Sequence, residues 1–126
     1  MKILILDDIK HRHEVFAKKY QGHEIVHVYK YSDFCDQLES NQFDLIHLDH
    51  DLGDFVSDAD TYVDGWGSTR EFNGGHASMR VCELEDDKLP ERVIVHSINS
   101  VGAKNMLSNC QRRGIPVVWE PFSDPN

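Results

Sequence analysis

The chain alternates short runs of adjacent apolar residues with longer stretches in which apolar residues recur every three or four positions. Lys2–Leu6 (KILIL), Glu24–Tyr29 (EIVHVY), Phe43–Leu48 (FDLIHL), Arg92–Val95 (RVIV) and Ile115–Trp119 (IPVVW) are the adjacent runs, rich in Ile, Val and Leu. They predict five strands of a parallel sheet covered on both faces, because a half-exposed strand would alternate apolar with polar. Helical spacing fills the gaps. Val15, Phe16 and Tyr20 stripe a first helix stopped near Gly22, Phe34 and Leu38 a second, and Ala77, Val81 and Leu84 a third that ends before Pro90. Ala103, Met106, Leu107 and Cys110 mark a fourth, closed by the basic turn Arg112–Arg113 and by Gly114. The order β-α-β-α-β-loop-α-β-α-β, with right-handed crossovers, predicts an α/β domain of three layers, α/β/α. Residues 53–75 break the rhythm and predict a long functional loop inserted after the third strand.

Length and composition add bounds. A chain of 126 residues with 40% hydrophobic residues is expected to form a single domain over 1–126. Thirteen basic against 22 acidic residues give a net charge of −9, which disfavours a general phosphate-backbone binder, so duplex DNA is not an expected partner. The excess is local. No Lys or Arg lies between Lys30 and Arg70, whereas Asp33, Asp36, Glu39, Asp44, Asp49, Asp51, Asp54, Asp58, Asp60 and Asp64 do. Such a segment is either a solvated acidic loop or a cation site. Cys35, Cys82 and Cys110 form no CxxC pair and sit among apolar helical positions. No leader and no apolar run of membrane-spanning length is apparent, so a reduced, cytoplasmic protein without a membrane partner is expected.

In parallel sheets ligands bind beyond the carboxyl ends of the strands. Those ends carry Asp7 and Asp8; His47, Asp49, His50 and Asp51; His96, Ser97 and Asn99; and Glu120 with Pro121. Carboxylates of Asp7, Asp8, Asp49 and Asp51 converging on one edge would repel by about 4 kcal/mol per close pair at intermediate dielectric. A divalent metal is the expected remedy, Mg²⁺ or Mn²⁺ on oxygen ligands alone, shifting toward Mn²⁺ or Zn²⁺ if His50 or His96 joins. His50 and His96 lie where the backbone leaves the sheet and, with Asp49, make the candidate catalytic set; a histidine pair facing across neighbouring strands would supply both acid and base. His47, inside a strand, reads as a satisfied core histidine, and His11, His13, His23 and His27 as surface or packing residues. For substrate, the Asn73-Gly74-Gly75-His76 turn is expected to present bare N–H groups at a helix start. Ser97 and Asn99 precede the fourth helix, where Gly102 allows close approach and Lys104 adds charge; Arg12 and Arg80 are candidate anion clamps. Tyr62, Trp66 and Phe72 either stack on a base or anchor the loop. No nucleophile elbow, P-loop or zinc-finger spacing occurs.

Asp7-Asp8, Asp49 in LIHLD, Ser97 in VIVHS and Pro121-Phe122 in VVWEPF together resemble a response-regulator receiver domain. The resemblance implies a flavodoxin/CheY-like fold, with strand order 2-1-3-4-5, and acids that hold magnesium around a phosphorylatable Asp49. Glu120 stands where that family has a phosphate-binding lysine, and its carboxylate would repel a phosphoryl group on Asp49. HLDHDLGD, FNGGHAS and VIVHSIN followed by GAKNML resemble more closely the cyclic-phosphate-processing receiver-like family, over residues 1–124. That resemblance implies a phosphoesterase that opens or hydrolyses a cyclic phosphate on a nucleotide or RNA end with a divalent metal. The alternative is a non-catalytic receiver-like module that binds a nucleotide or a partner protein.

Overall fold

Five parallel strands, the apolar runs of the sequence, form the central sheet in a computed structural model that describes residues 1–53 and 58–124. These are β1 (Lys2–Leu6), β2 (Glu24–Val28), β3 (Leu45–Leu48), β6 (Arg92–Val95) and β7 (Val117–Trp119), in the order β2-β1-β3-β6-β7. Counted within this sheet alone, that order is the expected 2-1-3-4-5. Four α-helices lie among the described residues: α1 (Lys10–Lys19), α2 (Tyr31–Ser40), α3 (Gly74–Cys82) and α4 (Ser100–Arg113).

Alternation along each strand divides the core between the two faces. Leu4, Leu6, Ile46, Leu48, Val93 and Val95 pack with Phe34 of α2, Val81 of α3 and Met106 of α4 in the larger cluster. Ile3, Ile5, Leu45 and Ile94 point the other way and pack with Phe16 of α1 in a smaller one. One face therefore carries three helices and the other only α1 among the described residues.

Several boundaries differ from the sequence pattern. β7 begins at Val117 rather than Ile115, since Pro116 has no N–H to give the ladder, although its carbonyl accepts from Val93 N–H at 2.9 Å. α3 ends at Cys82, leaving Leu84 beyond it. Arg113, in the last turn of α4, donates to the Cys82 and Leu84 carbonyls at 3.0 and 3.1 Å and so closes the α3 end from a neighbouring helix. Gly114 stops α4 at φ +82°, a left-handed position that favours glycine.

From Asp58 on, the long loop carries structure that its lack of periodicity did not suggest. β4 (Thr61–Val63) and β5 (Thr69–Glu71) pair antiparallel after a 3₁₀ turn at Asp58–Asp60. Asp60, 3% exposed, accepts the Ser32 N–H at 2.8 Å, capping the first turn of α2, whose own N-cap residue Lys30 provides no side-chain cap. Phe72 stacks on Tyr31 with ring centroids 4.3 Å apart and also meets Tyr62 and His76. Tyr62 and Phe72 are thus loop anchors, while Trp66 at the hairpin tip is 92% exposed. Asp54 lies outside the described residues.

Candidate functional site

The sheet register lines up the functional edge. Ile5, His47 and Ile94 are direct neighbours across β1, β3 and β6. Two residues further on, and so on the same face, come Asp7, Asp49 and His96. The ladder still holds them, with Asp7 N–H donating to the Val28 carbonyl at 3.2 Å, Asp49 N–H to Leu6 at 3.0 Å and His96 N–H to Leu48 at 3.0 Å. All three are buried, at 0, 4 and 1% exposure. One ligand atom from each lies within 4.8 Å of the others.

His96 Nε2 is 2.7 Å from Asp7 Oδ2. Asp7 Oδ1 accepts the Ile9 N–H at 2.8 Å, which turns the chain into α1. Arg12, one turn into that helix, sets Nη1 at 3.3 Å from Asp7 and 3.6 Å from Asp49, while its guanidinium covers the Phe122 ring at 5.1 Å. His13 holds the same turn from behind, with Nε2 at 2.8 Å from the Asp7 carbonyl oxygen and Nδ1 at 2.7 Å from His27. Its packing role was expected; its contact with Asp7 was not, because no spacing in the sequence links the two.

Burial raises the Asp7 carboxyl, but the His96 hydrogen bond and charge, the Ile9 amide and Arg12 outweigh it, so the group lies below the usual range. Burial keeps His96 neutral and low, against the pull of Asp7, so its Nε2–H is the donor in the pair. Asp49 goes the other way. Burial, and then the Asp7 charge, push it up to about 7 despite Arg12 and the His50 amide, with the Asp8 charge adding to the rise. One guanidinium is facing two or more buried acids, and the site is short of positive charge once Asp49 ionises.

That deficit is the test for a cation, and the donor set passes it. Two carboxylates suit Mg²⁺ or Mn²⁺, with Asp8, 7% exposed, next to the group and His96 orienting Asp7. Asp51 does not join. It is exposed, its Oδ1 3.2 Å from His50 Nδ1, because the chain leaves the strand after Leu48 and alternation no longer aims its side chain inward.

His50 is also placed differently from expectation. Its ring lies on the first turn of α4, where a Cβ on Gly102 would come within 2.4 Å of it, and its Nδ1 is 3.4 Å from Asn99 Nδ2. Gly102 therefore allows close approach of His50 itself. The histidine ring that meets His96 is His47, at 5.5 Å between centroids, not His50.

The helix starts consume the donors expected to be bare. Gly74 N–H goes to the His50 carbonyl at 2.8 Å, and Asn73 Oδ1 accepts from Gly75 at 2.8 Å and His76 at 3.3 Å. His76 Nδ1 accepts the Asn73 N–H at 3.0 Å in return, completing a capping box. A Cβ on Gly74 would lie 1.9 Å from the Asp49 carbonyl oxygen, so this glycine is needed for α3 to seat against β3. At α4, Ser97 Oγ accepts the Asn99 N–H at 3.1 Å and Asn99 Oδ1 accepts from Gly102 at 3.0 Å. Ser97 is 1% exposed, and Lys104 is exposed on the following turn. Arg80 pairs with Glu83 and Glu39, away from the acid cluster. Glu120 pairs with Arg92 at 3.6 Å.

A receiver-type sheet with an acid cluster at the carboxyl ends of β1 and β3 defines the class of protein. The family model described as the cyclic-phosphate processing receiver domain matches residues 2–112, and the chain belongs to that family. Solved structures agree on the fold. A CheY-like receiver domain from Methylobacillus flagellatus aligns with TM-score 0.65 at 14% identity, over 99% of this chain and 88% of that one. A Burkholderia pseudomallei response regulator with a phosphorylated aspartic acid, calcium ion and citrate aligns with TM-score 0.61 at 14% identity, over 97% of this chain and 61% of that one. The response regulator DrrB from Thermotoga maritima gives TM-score 0.60 at 19% identity, over 96% of this chain and 46% of that one. The chain thus spans less than two thirds of the latter two proteins. No curated protein sequence matches it. Among the described residues no helix is long and apolar enough to cross a membrane.

Proposed function

We propose that the domain opens or hydrolyses a cyclic phosphate on a nucleotide or an RNA end at the Asp7–Asp49–His96 edge. The observation that carries this is the buried trio itself, short of one positive charge beside Arg12, in a chain of the cyclic-phosphate processing receiver family. Asp7 and Asp49, with Asp8 adjacent, would hold the divalent metal, which when bound supplies charge to the phosphoryl oxygens and acidifies water. Arg12 orients a non-bridging oxygen by hydrogen bonding. His96, committed to Asp7 through Nε2, is a positioning residue. His50, whose side chain is 18% exposed beside Asp51, is the imidazole open to substrate and hands a proton to the departing ribose oxygen. Asn99 fixes that ring, and Lys104 on the next turn draws the anion in.

A panel of 2′,3′- and 3′,5′-cyclic nucleotides and cyclic-phosphate-ended RNA, with and without Mg²⁺ or Mn²⁺, tests it. Metal-dependent product formation, lowered at least 100-fold in His50→Gln, is the expected result. Tight binding without turnover anywhere in the panel would establish a binding module instead.

A further inference from the structure

Helices α3 and α4 pack against each other and end close together. Cys82 is the last residue of α3, and Cys110 stands in the last turn of α4. Their thiols are in contact. Cys110 S–H donates to the Cys82 sulfur, and Cys82 S–H donates in turn to the Asn109 carbonyl at 3.4 Å. No motif announces the contact, since the two cysteines are far apart along the chain.

Polar bonds between the same two helices bracket the pair. Asn109 Nδ2 donates to Ser78 Oγ at 3.0 Å one turn before Cys82 on α3, and Arg113 Nε donates to the Cys82 carbonyl at 3.0 Å. The two backbones are therefore held at one spacing at the level of the thiols. Access differs between them: Cys110 is 0% exposed, whereas Cys82 is partly exposed. Burial pushes Cys110 up to about 12, and the neighbouring Cys82 adds to the rise. Burial also raises Cys82, but the Cys110 hydrogen bond and the Arg113 and Arg112 charges pull against it, with Glu83 on the other side. An outer thiol with cations beside it, backed by an inner thiol in contact, is the arrangement of an attacking and a resolving cysteine.

We propose that Cys82 and Cys110 are a redox-active pair that closes to a disulfide between α3 and α4, with glutathione disulfide as the oxidant. The Cys82 thiolate attacks one sulfur of the oxidant, forming a mixed disulfide and expelling one glutathione thiolate, which takes the Cys82 proton. The Cys110 sulfur then attacks the Cys82 sulfur and expels the second glutathione, which takes the Cys110 proton. Two protein thiols are oxidised, and one glutathione disulfide is reduced to two thiols. Cys35, on α2, meets Tyr31 and Arg80 rather than a second thiol and so serves as the internal control. Nothing here draws on the acid cluster, so the pair stands or falls apart from the cyclic-phosphate reading.

The folded full chain is incubated in glutathione buffers of rising disulfide content, quenched in acid, alkylated and digested with trypsin. Cleavage after Arg80 and Lys88 leaves Cys82 in residues 81–88, and cleavage after Lys104 and Arg112 leaves Cys110 in residues 105–112, with Cys35 in a separate peptide. Mass spectrometry should find these two peptides joined, two hydrogens lighter than their sum, in most molecules at the oxidised end of the series and separate again after dithiothreitol. The joined pair should exceed any linkage to Cys35 at least tenfold. Cys110→Ala should leave glutathione on Cys82, because no second thiol is there to expel it, and Cys35→Ser should leave the crosslink unchanged. Wild-type thiols that stay free throughout, a Cys82 that keeps its glutathione, or linkage of Cys35 to either partner in comparable yield overturns the proposal. The wild-type chain alone gives that decision, whether or not the variants fold.

Discussion

His96 Nε2 reaches Asp7 Oδ2 at 2.7 Å although β3 lies between their strands. The result is an unequal pair of acids. Asp7 is stabilised as the anion by His96, Arg12 and the Ile9 amide, whereas Asp49, left with a distant share of Arg12, holds its proton to about 7. This inequality separates a permanent anchor from a group that ionises near neutrality.

Asp49 should make the metal-free protein less stable as pH rises. Its folded value of about 7 exceeds the ordinary 3.8, so the folded state keeps a proton that the unfolded chain has lost. The contribution is full below about 3.8, falls by about 1.4 kcal/mol per pH unit at most, and is gone above about 7. Urea titrations in chelator should show Asp49→Asn gaining on the wild type between pH 4 and 7. A difference that does not change with pH would refute the raised value.

His47 should act with the opposite sign. Burial, then the His96, Lys19 and Arg92 charges, depress it to about 2, so the unfolded chain takes up a proton below about 6.5 that the folded state refuses. Its stability is full above about 6.5 and falls as pH drops, again by about 1.4 kcal/mol per unit at most. His47→Phe should therefore flatten the acid limb of the stability curve relative to wild type. Because Asp49 and His47 oppose each other over pH 4–6.5, each single variant should tilt the profile in its own direction, and the same urea titrations check both.

Gly74 and Gly102 should respond differently to alanine. At Gly74 the added Cβ meets the Asp49 carbonyl oxygen at 1.9 Å and the His50 Cα at 2.7 Å, both backbone atoms that cannot swing away. A loss of about 3 kcal/mol or more, on the order of 10 °C in Tm, is expected. At Gly102 the obstacle is the His50 ring at 2.4 Å, a side chain able to rotate. Gly102→Ala should cost about 1 kcal/mol while shifting the His50 ring resonances. Equal melting temperatures for the two variants would contradict the close seating of α3.

Asp60→Ala should untie the hairpin from α2. Removing its bond to Ser32 N–H leaves the first turn of α2 without this cap, a loss of about 1 kcal/mol. Limited proteolysis should then cut within residues 61–71 faster than in wild type, at sites where the aromatic anchors Tyr62 and Phe72 have to lift away. Unchanged cleavage would mean that the Tyr31–Phe72 stack holds the segment alone.

Much of the frame was legible in the residue pattern. Apolar runs such as KILIL and RVIV are local signals of buried strands, and the stripe through Ala103, Met106 and Cys110 ends at Gly114 as its left-handed turn requires. The hairpin was not legible, since its three-residue strands expose most positions and carry no alternation. Neither was the fate of the Asn73–His76 turn: the same residues that present donors at a helix start can accept them, and the capping box follows from side-chain geometry.

By itself, then, the sequence determined the sheet, its helices and the edge on which the polar groups gather, because those follow from periodicities of two to four residues. Which of those groups meet was decided by the tertiary structure. Asp7, Asp49 and His96 come together through the register of three strands that are distant in sequence, and that register depends on packing of whole faces. His50 and Asp51, one and two residues past Asp49, turn onto α4 and outward because the ladder has ended. The meeting of Cys82 with Cys110 arises in the same way, from the packing of α3 against α4.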